Sequence, residues 1–244
     1  MSQLLTSSLV SRLARGYLSN LAMSSNGTIR DADIPTVLDH INDALKDLFT
    51  RFLLSTKEIR INTDSSITHY FIRYEFASSN AESTQPVKYL DDSMCDDFDG
   101  RIVKVLEVYD SQGKELFINK KNEPYSVFLP QHDCVQITAN HLSTEFYVLF
   151  QAVHPLVSMP YGVDGDDSFL NPDTIINIPP ALETPLMLLV AANVFGNMSG
   201  PAHEQKHATL TQEYETALLI SQYTDSASTS ENMSNSKLDR AGFV

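Results

Sequence analysis

The hydrophobic pattern of this chain changes period twice, and that constrains its fold more than any single motif. Up to about residue 57 apolar side chains recur every three to four positions, from 57 to 178 they alternate, and after Pro180 the helical period returns. This predicts an α+β protein with three parts. Residues 1–56 and 179–223 form a bundle of about four helices, 57–178 form an inserted β-sandwich or barrel-like subdomain, and 224–244 are a flexible C-terminal tail. A chain of 244 residues is long enough to bury a substantial core in such an arrangement.

Within the first helical part, Leu5, Leu9, Leu13, Tyr17 and Leu21 recur at i+4 and predict a helix over Leu4–Met23, interrupted by Gly16. Ser24-Ser25-Asn26-Gly27 reads as a turn. The next helix is the clearest: Asp33 as cap, Pro35 in the first turn, and a stripe of Ile34, Val37, Leu38, Ile41, Ala44, Leu45, Leu48, Phe49 and Phe52 that must pack on something. In the insertion, Tyr70, Ile72, Tyr74 and Phe76 mark the first strong strand. Ile102–Tyr109 and Leu116–Asn119 flank Asp110-Ser-Gln-Gly113 as in a hairpin, and Tyr125–Leu129, Cys134–Thr138 and Glu145–Val153 supply further strands. Pro155, Pro160 and Asp164–Asp167 close the insertion in a polar loop.

After Pro180, Leu182, Leu186, Leu189, Val190 and Val194 predict a nearly buried helix against the 34–52 stripe, with Pro185 tolerated in its first turn. Gly200-Pro201 breaks it. A last helix from Pro201 to about Tyr223, with His207, Leu210, Tyr214 and Ala217-Leu218 on one side, should pair with it antiparallel. Beyond Thr224 the sequence turns to Ser, Thr, Asn and Asp around isolated Met233, Leu238 and Phe243. Such a segment does not fold alone but is suited to ordering on a partner, which makes these three the candidate partner-binding residues.

Acidic residues outnumber basic ones 31 to 17, for a formal charge of -14, so the surface as a whole is not built to grip phosphates. Cys95 and Cys134 are too few for a disulfide framework and favour a reduced, cytoplasmic origin. The start, Met1–Val10, has its Arg12 and Arg15 after the apolar residues rather than before them, and no export signal is expected. The longest strongly apolar run, Pro185–Phe195, falls short of the about 20 residues a membrane span needs.

One motif carries chemistry. His203-Glu204-Gln205-Lys206-His207 matches H-E-x-x-H, which sets two histidines a helical turn apart to bind zinc, with the glutamate as general base. Its context points elsewhere: the pattern opens two residues after Pro201, without apolar flanks, and Glu213, Glu215 or Glu231 would have to supply a third ligand. A solvated helix face is the expectation, and a zinc metallopeptidase the alternative. The acidic runs Asp91–Asp99 and Asp164–Asp167 do not fit a calcium loop. His132, Asp133 and Cys134 are adjacent in sequence, which on a strand sends neighbours to opposite faces. Tyr147, Phe150, Tyr161 and Phe169 are read as core, or as the platform of a binding module in the insertion. Nucleotide-binding glycine loops and G-x-S-x-G do not occur. No catalytic, cofactor or metal residue is therefore expected.

With this organisation the chain resembles the head-to-tail adaptors of tailed bacteriophages, also called connectors or tail tubular proteins A. The carrying segments are Asp33-Ile-Pro-Thr-Val-Leu-Asp-His-Ile-Asn-Asp-Ala-Leu45, Phe146–Pro155, and Ile178-Pro-Pro-Ala-Leu-Glu-Thr-Pro-Leu186 through the Gly200 turn to Leu210-Thr-Gln-Glu-Tyr-Glu215. The resemblance spans most of the chain, and the sizeable insertion is where this sequence departs from the family. It implies a noncatalytic virion protein at the head-tail junction, assembled in the host cytoplasm. Its subunits would form a ring, dodecameric in the family, between the portal protein and a tail tube or nozzle protein, with DNA passing through without specific binding and no membrane involved. It also implies that the Pro201–His207 stretch is the opening of the last helix.

Overall fold

The computed structural model describes residues 2–93, 98–123, 125–137, 144–161 and 171–223. Strand β1 (Ser2–Leu5) leads into helix α1 (Thr6–Arg15), the short strands β2 (Ser24–Ser25) and β3 (Thr28–Ile29), and helix α2 (Ile34–Arg51). Seven strands follow: β4 (Thr56–Asn62), β5 (His69–Phe71), β6 (Leu90–Asp91), β7 (Ile102–Asp110), β8 (Phe128–Gln131), β9 (Cys134–Gln136) and β10 (Glu145–Ala152). Strand β11 (Ile175–Ile178) then precedes helices α3 (Glu183–Gly196) and α4 (Pro201–Tyr223). The class is α+β, with four α-helices and several small antiparallel sheets among the described residues.

Backbone contacts divide the chain into two units, Met1–Leu54 with His154–Val244, and Ser55–Val153. The expected insertion ran on to 178. The unit boundary falls instead at His154: the His154 ring meets Phe49, the Val157 N–H donates to Asn42 Oδ1, and β11 pairs antiparallel with β1, from Ser2 opposite Ile178 to Leu5 opposite Ile175. Leu4, Ile176 and Ile178 point from this pair into the helical core.

In the helical unit α1 is shorter than the expected Leu4–Met23. Leu4 belongs to β1, and Gly16 ends the helix with its N–H directed at the carbonyls of Arg12 and Leu13. The start of α1 is capped from far along the chain: the Ser7 N–H donates to Asp173 Oδ1 at 3.0 Å, and Thr6 N–H and Oγ1–H donate to the Thr174 carbonyl. The turn at Asn26-Gly27 has both residues in the left-handed region, as a two-residue hairpin of Asn-Gly type requires. Helix α2 carries the expected stripe, with Val37, Ile41, Ala44 and Leu48 fully buried. Asp33 does not cap it through its side chain; that carboxylate holds Arg30 instead. Helix α3 packs against α1, α2 and α4, which explains an apolar sequence with almost no polar face. Helix α4 runs back along α3, with Ala192 beside His207 near one end and Ala181 beside Ser221 near the other.

In the β unit one sheet has the order β6-β4-β10-β7 and the other β5-β9-β8. Ile59 and Ile61 of β4, Val105 and Val108 of β7, and Phe146, Val148 and Phe150 of β10 share one core with Tyr70, Ile72 and Val135. The alternation at 70–76 is strand only to Phe71; Tyr74–Phe76 is a 3-10 turn that lays Phe76 on Tyr89, ring centroids 4.8 Å apart. The first strand of the unit is β4, whose buried Ile59 and Ile61 alternate with Glu58, Arg60 and Asn62. After the Asp110–Gly113 turn the returning chain makes a single bridge, Glu115 to Tyr109, rather than a full strand. No helix among the described residues is long and apolar enough to cross a membrane.

Candidate functional site

The H-E-x-x-H segment lies on the first two turns of α4, beside the end of α3. Gly200, at φ +120°, makes the reversal that a residue with a side chain resists, and its carbonyl accepts the N–H groups of His203 and Glu204. His207 Nδ1 is 2.8 Å from the Ala192 carbonyl oxygen, which can only accept, so Nδ1 carries the proton. The approach is close: a Cβ on Gly196 would meet His207 Nδ1 at 3.0 Å, so the ring would have to give way by a few tenths of an ångström to admit one. His203 lies over Phe195, ring centroids 5.8 Å apart, and buried His40 of α2 places Nε2 3.2 Å from Asn197 Nδ2. Burial pushes the His40 imidazolium below its usual pKa, against the opposing pull of Asp43 and Asp39. Three histidines thus lie near the last turn of α3, the negative end of that helix's dipole.

A backbone carbonyl on Nδ1 also orients imidazoles that ligate metals, leaving Nε2 to bind. Glu204 is exposed, Glu215 is engaged by Arg51, and Glu231 lies outside the described residues. Among the described residues no three His, Cys, Asp or Glu side chains are grouped to hold a metal ion.

A second polar cluster joins α2 to α4. The buried Tyr214 hydroxyl donates to Asp47 Oδ2, Arg51 Nε pairs with Asp47 at 2.9 Å, and the Arg51 guanidinium makes a two-pronged contact with Glu215 at 3.2 and 3.3 Å. Burial, and then the hydrogen bond to Asp47, hold the Tyr214 hydroxyl protonated far above the usual tyrosine range. This cluster went unseen in the sequence, where Asp47 and Tyr214 are 167 positions apart.

The remaining candidates are scattered. Asp92 is buried and accepts from Ser78, from the N–H and hydroxyl of Ser79 and from the Phe98 N–H; burial pushes its carboxyl up, but these bonds outweigh it and hold it ionised. Asp91 is lowered to about 2 by hydrogen bonds from Ser93 and Arg60. Both carboxylates are occupied in tying the loop. His132 and Asp133 form the two-residue turn between β8 and β9 rather than lying on a strand, with His132 exposed. Asp133 binds Arg73 Nε at 2.7 Å, and burial raises the Cys134 thiol. Tyr147 and Phe150 fall on opposite faces of β10, Phe150 in the core, so they make no shared platform. Cys95, Asp164–Asp167, Phe169 and the partner-binding candidates Met233, Leu238 and Phe243 lie outside the described residues. No protein-family model matches this chain, and no curated protein matches it.

Proposed function

We propose that this chain is a noncatalytic structural subunit of a tailed-phage virion. It assembles as a ring between portal and tail, extends the DNA channel and docks the tail tube or nozzle. In this reading the helical unit is a four-helix bundle and the β unit a sandwich-like insertion, a description favoured by the single core shared by side chains of both its sheets. The observation that carries the reading is the discontinuous helical unit. The chain's two ends supply it, while Ser55–Val153 leaves and returns as a self-contained excursion. That is the organisation the adaptor resemblance implies. The excess of carboxylates supports it as well, since a negative surface lets DNA slide past without trapping it.

Residues 224–244, with Met233, Leu238 and Phe243, are the segment that engages the portal. The test is co-sedimentation of the full chain and of a chain ending at Tyr223 with portal rings. The full chain pellets with the portal and the shortened one does not. Equal binding by both removes the segment from the mechanism, and no binding by either removes the adaptor reading.

A further inference from the structure

We propose that the connection between β7 and β8 is the point at which a second copy of this chain docks, through Lys120, Lys121 and the rings of Phe117 and Tyr125. This chain's arginines are largely spent internally: Arg12, Arg30, Arg51, Arg60, Arg73 and Arg101 each lie within 4.0 Å of a carboxylate. Among the described residues no carboxylate comes within that distance of Lys114, Lys120 or Lys121, as is also true of Lys46, Lys57, Lys88 and Lys206; what sets this connection apart is the rings beside its lysines. The same short connection exposes Phe117 at 53% and Tyr125 at 52%, and Lys120 Nζ stands 5.7 Å from the Phe117 ring centroid. Available cations and half-exposed aromatic rings therefore coincide at one place, in a molecule whose charge is otherwise strongly negative.

Residues 117–120 and 126–129 of the connection are held to each other. The Val127 N–H donates to the Phe117 carbonyl and the Asn119 N–H to the Val127 carbonyl, both at 2.9 Å. Ser126 Oγ accepts from the Lys120 N–H and donates to the Phe117 carbonyl, while Asn119 Oδ1 accepts from the Leu129 N–H. Asn119 itself sits at φ +58°, a left-handed conformation that asparagine tolerates. A tip fixed in advance loses little entropy when a partner covers it.

Two polyanionic partners fit lysines and rings, a nucleic acid or an acidic protein face, and the charge count favours the second. Residues 114–125 hold three lysines against Glu115 and Glu123, a local balance of 3 − 2 = +1. Duplex binders neutralise on the order of 6–10 phosphates, which one such loop cannot do. Protein interfaces instead draw on buried aromatic rings with a few charge pairs at their rim. A second copy supplies the carboxylates, having 31 of them against 17 cations, and a contact between two different patches of one chain propagates head to tail into a ring. The choice of partner rests on the ring assembly proposed above.

Sedimentation velocity of the full chain tests this. The wild type is expected to self-associate at about 50 mM salt and to dissociate toward monomer by about 500 mM. Lys120→Glu with Lys121→Glu, and separately Phe117→Ser, should raise the dissociation constant roughly tenfold or more while leaving thermal unfolding unchanged. Lys46→Glu with Lys206→Glu makes the same change in net charge at two exposed helix positions and should leave association as it is. The proposal is overturned if the loop variants associate like wild type, if the control pair loses as much, or if the wild type stays monomeric at about 100 µM. It is likewise overturned if a short DNA duplex, rather than a second copy, is what the lysine variant ceases to bind. Ring formation on portals separates the two claims: unchanged rings from the loop variants discard the loop and keep the adaptor, whereas salt-sensitive self-association without rings keeps the loop and discards the adaptor.

Discussion

The helical unit and the β unit are tied together over very different stretches of chain. Ser7 meets Asp173 across 166 positions and Arg51 meets Glu215 across 164, and Thr6 is fixed by Thr174. In the β unit Asp92 reaches Ser79 across 13, Tyr89 reaches Phe71 across 18, and Arg73 reaches Asp133 across 60. The helical unit is closed by segments on either side of Ser55–Val153, the β unit by its own first and last strands, with Thr56 of β4 opposite Gln151 of β10. Order in the helical unit therefore depends on residues synthesised after the β unit, which has all its own contacts in hand by Val153.

The most damaging way to probe this contrast is to cut the chain. Residues 55–153 made alone should unfold cooperatively in calorimetry, whereas 1–153 should show that same transition plus a first 54 residues without native protection against hydrogen exchange, because α2 has lost α3. Loss of structure in 55–153 would break the comparison. Single buried changes come next. Leu48→Ala should cost about 3 kcal/mol by denaturant unfolding, and Asp92→Ala about as much, by leaving the Ser79 and Phe98 donors buried without an acceptor. If the units unfold separately, each change should shift only the transition of its own unit.

A smaller effect sharpens the account of the α3–α4 turn. Gly196→Ala drives a methyl into His207 and should cost about 1–2 kcal/mol, much of it recovered in the double variant with His207→Ala. Additive losses would mean that the close approach is not what the glycine serves. The smallest is pH-dependent. Because the folded state lowers the His40 pKa, the unfolded chain takes up this proton first, near pH 6.5, and the folded chain only at lower pH. Stability should decline as pH falls below about 6.5, and His40→Gln, which can still bond Asn197, should reduce that slope. An unchanged slope would assign the effect to other groups.

What could be read from the sequence followed the same division. The α2 stripe, the burial of α3, the Gly200-Pro201 break and the long strands β7 and β10 were legible, because periodicity reports a face that must be covered. The length of α1 was legible only in part: the interruption at Gly16 is its end, but its start is set by Asp173, far from it in sequence. Nor was β11: four residues pairing with four at the opposite end leave too short a pattern to detect. The 70–76 alternation misled because Tyr74 turns outward, 46% exposed, where the backbone coils into a 3-10 turn. At the candidate sites, spacing identified the pair His203 and His207 but not what faces them. The Ala192 carbonyl, Phe195 and Gly196 come from the neighbouring helix, and only the fold brings them there.

We propose that the discontinuous helical unit belongs to a ring-forming adaptor. Negative-stain electron microscopy of the full chain mixed with the portal protein encoded in the same genome tests it most directly. Portals capped by an added ring of density are the predicted result; bare portals beside free particles of this chain would contradict it.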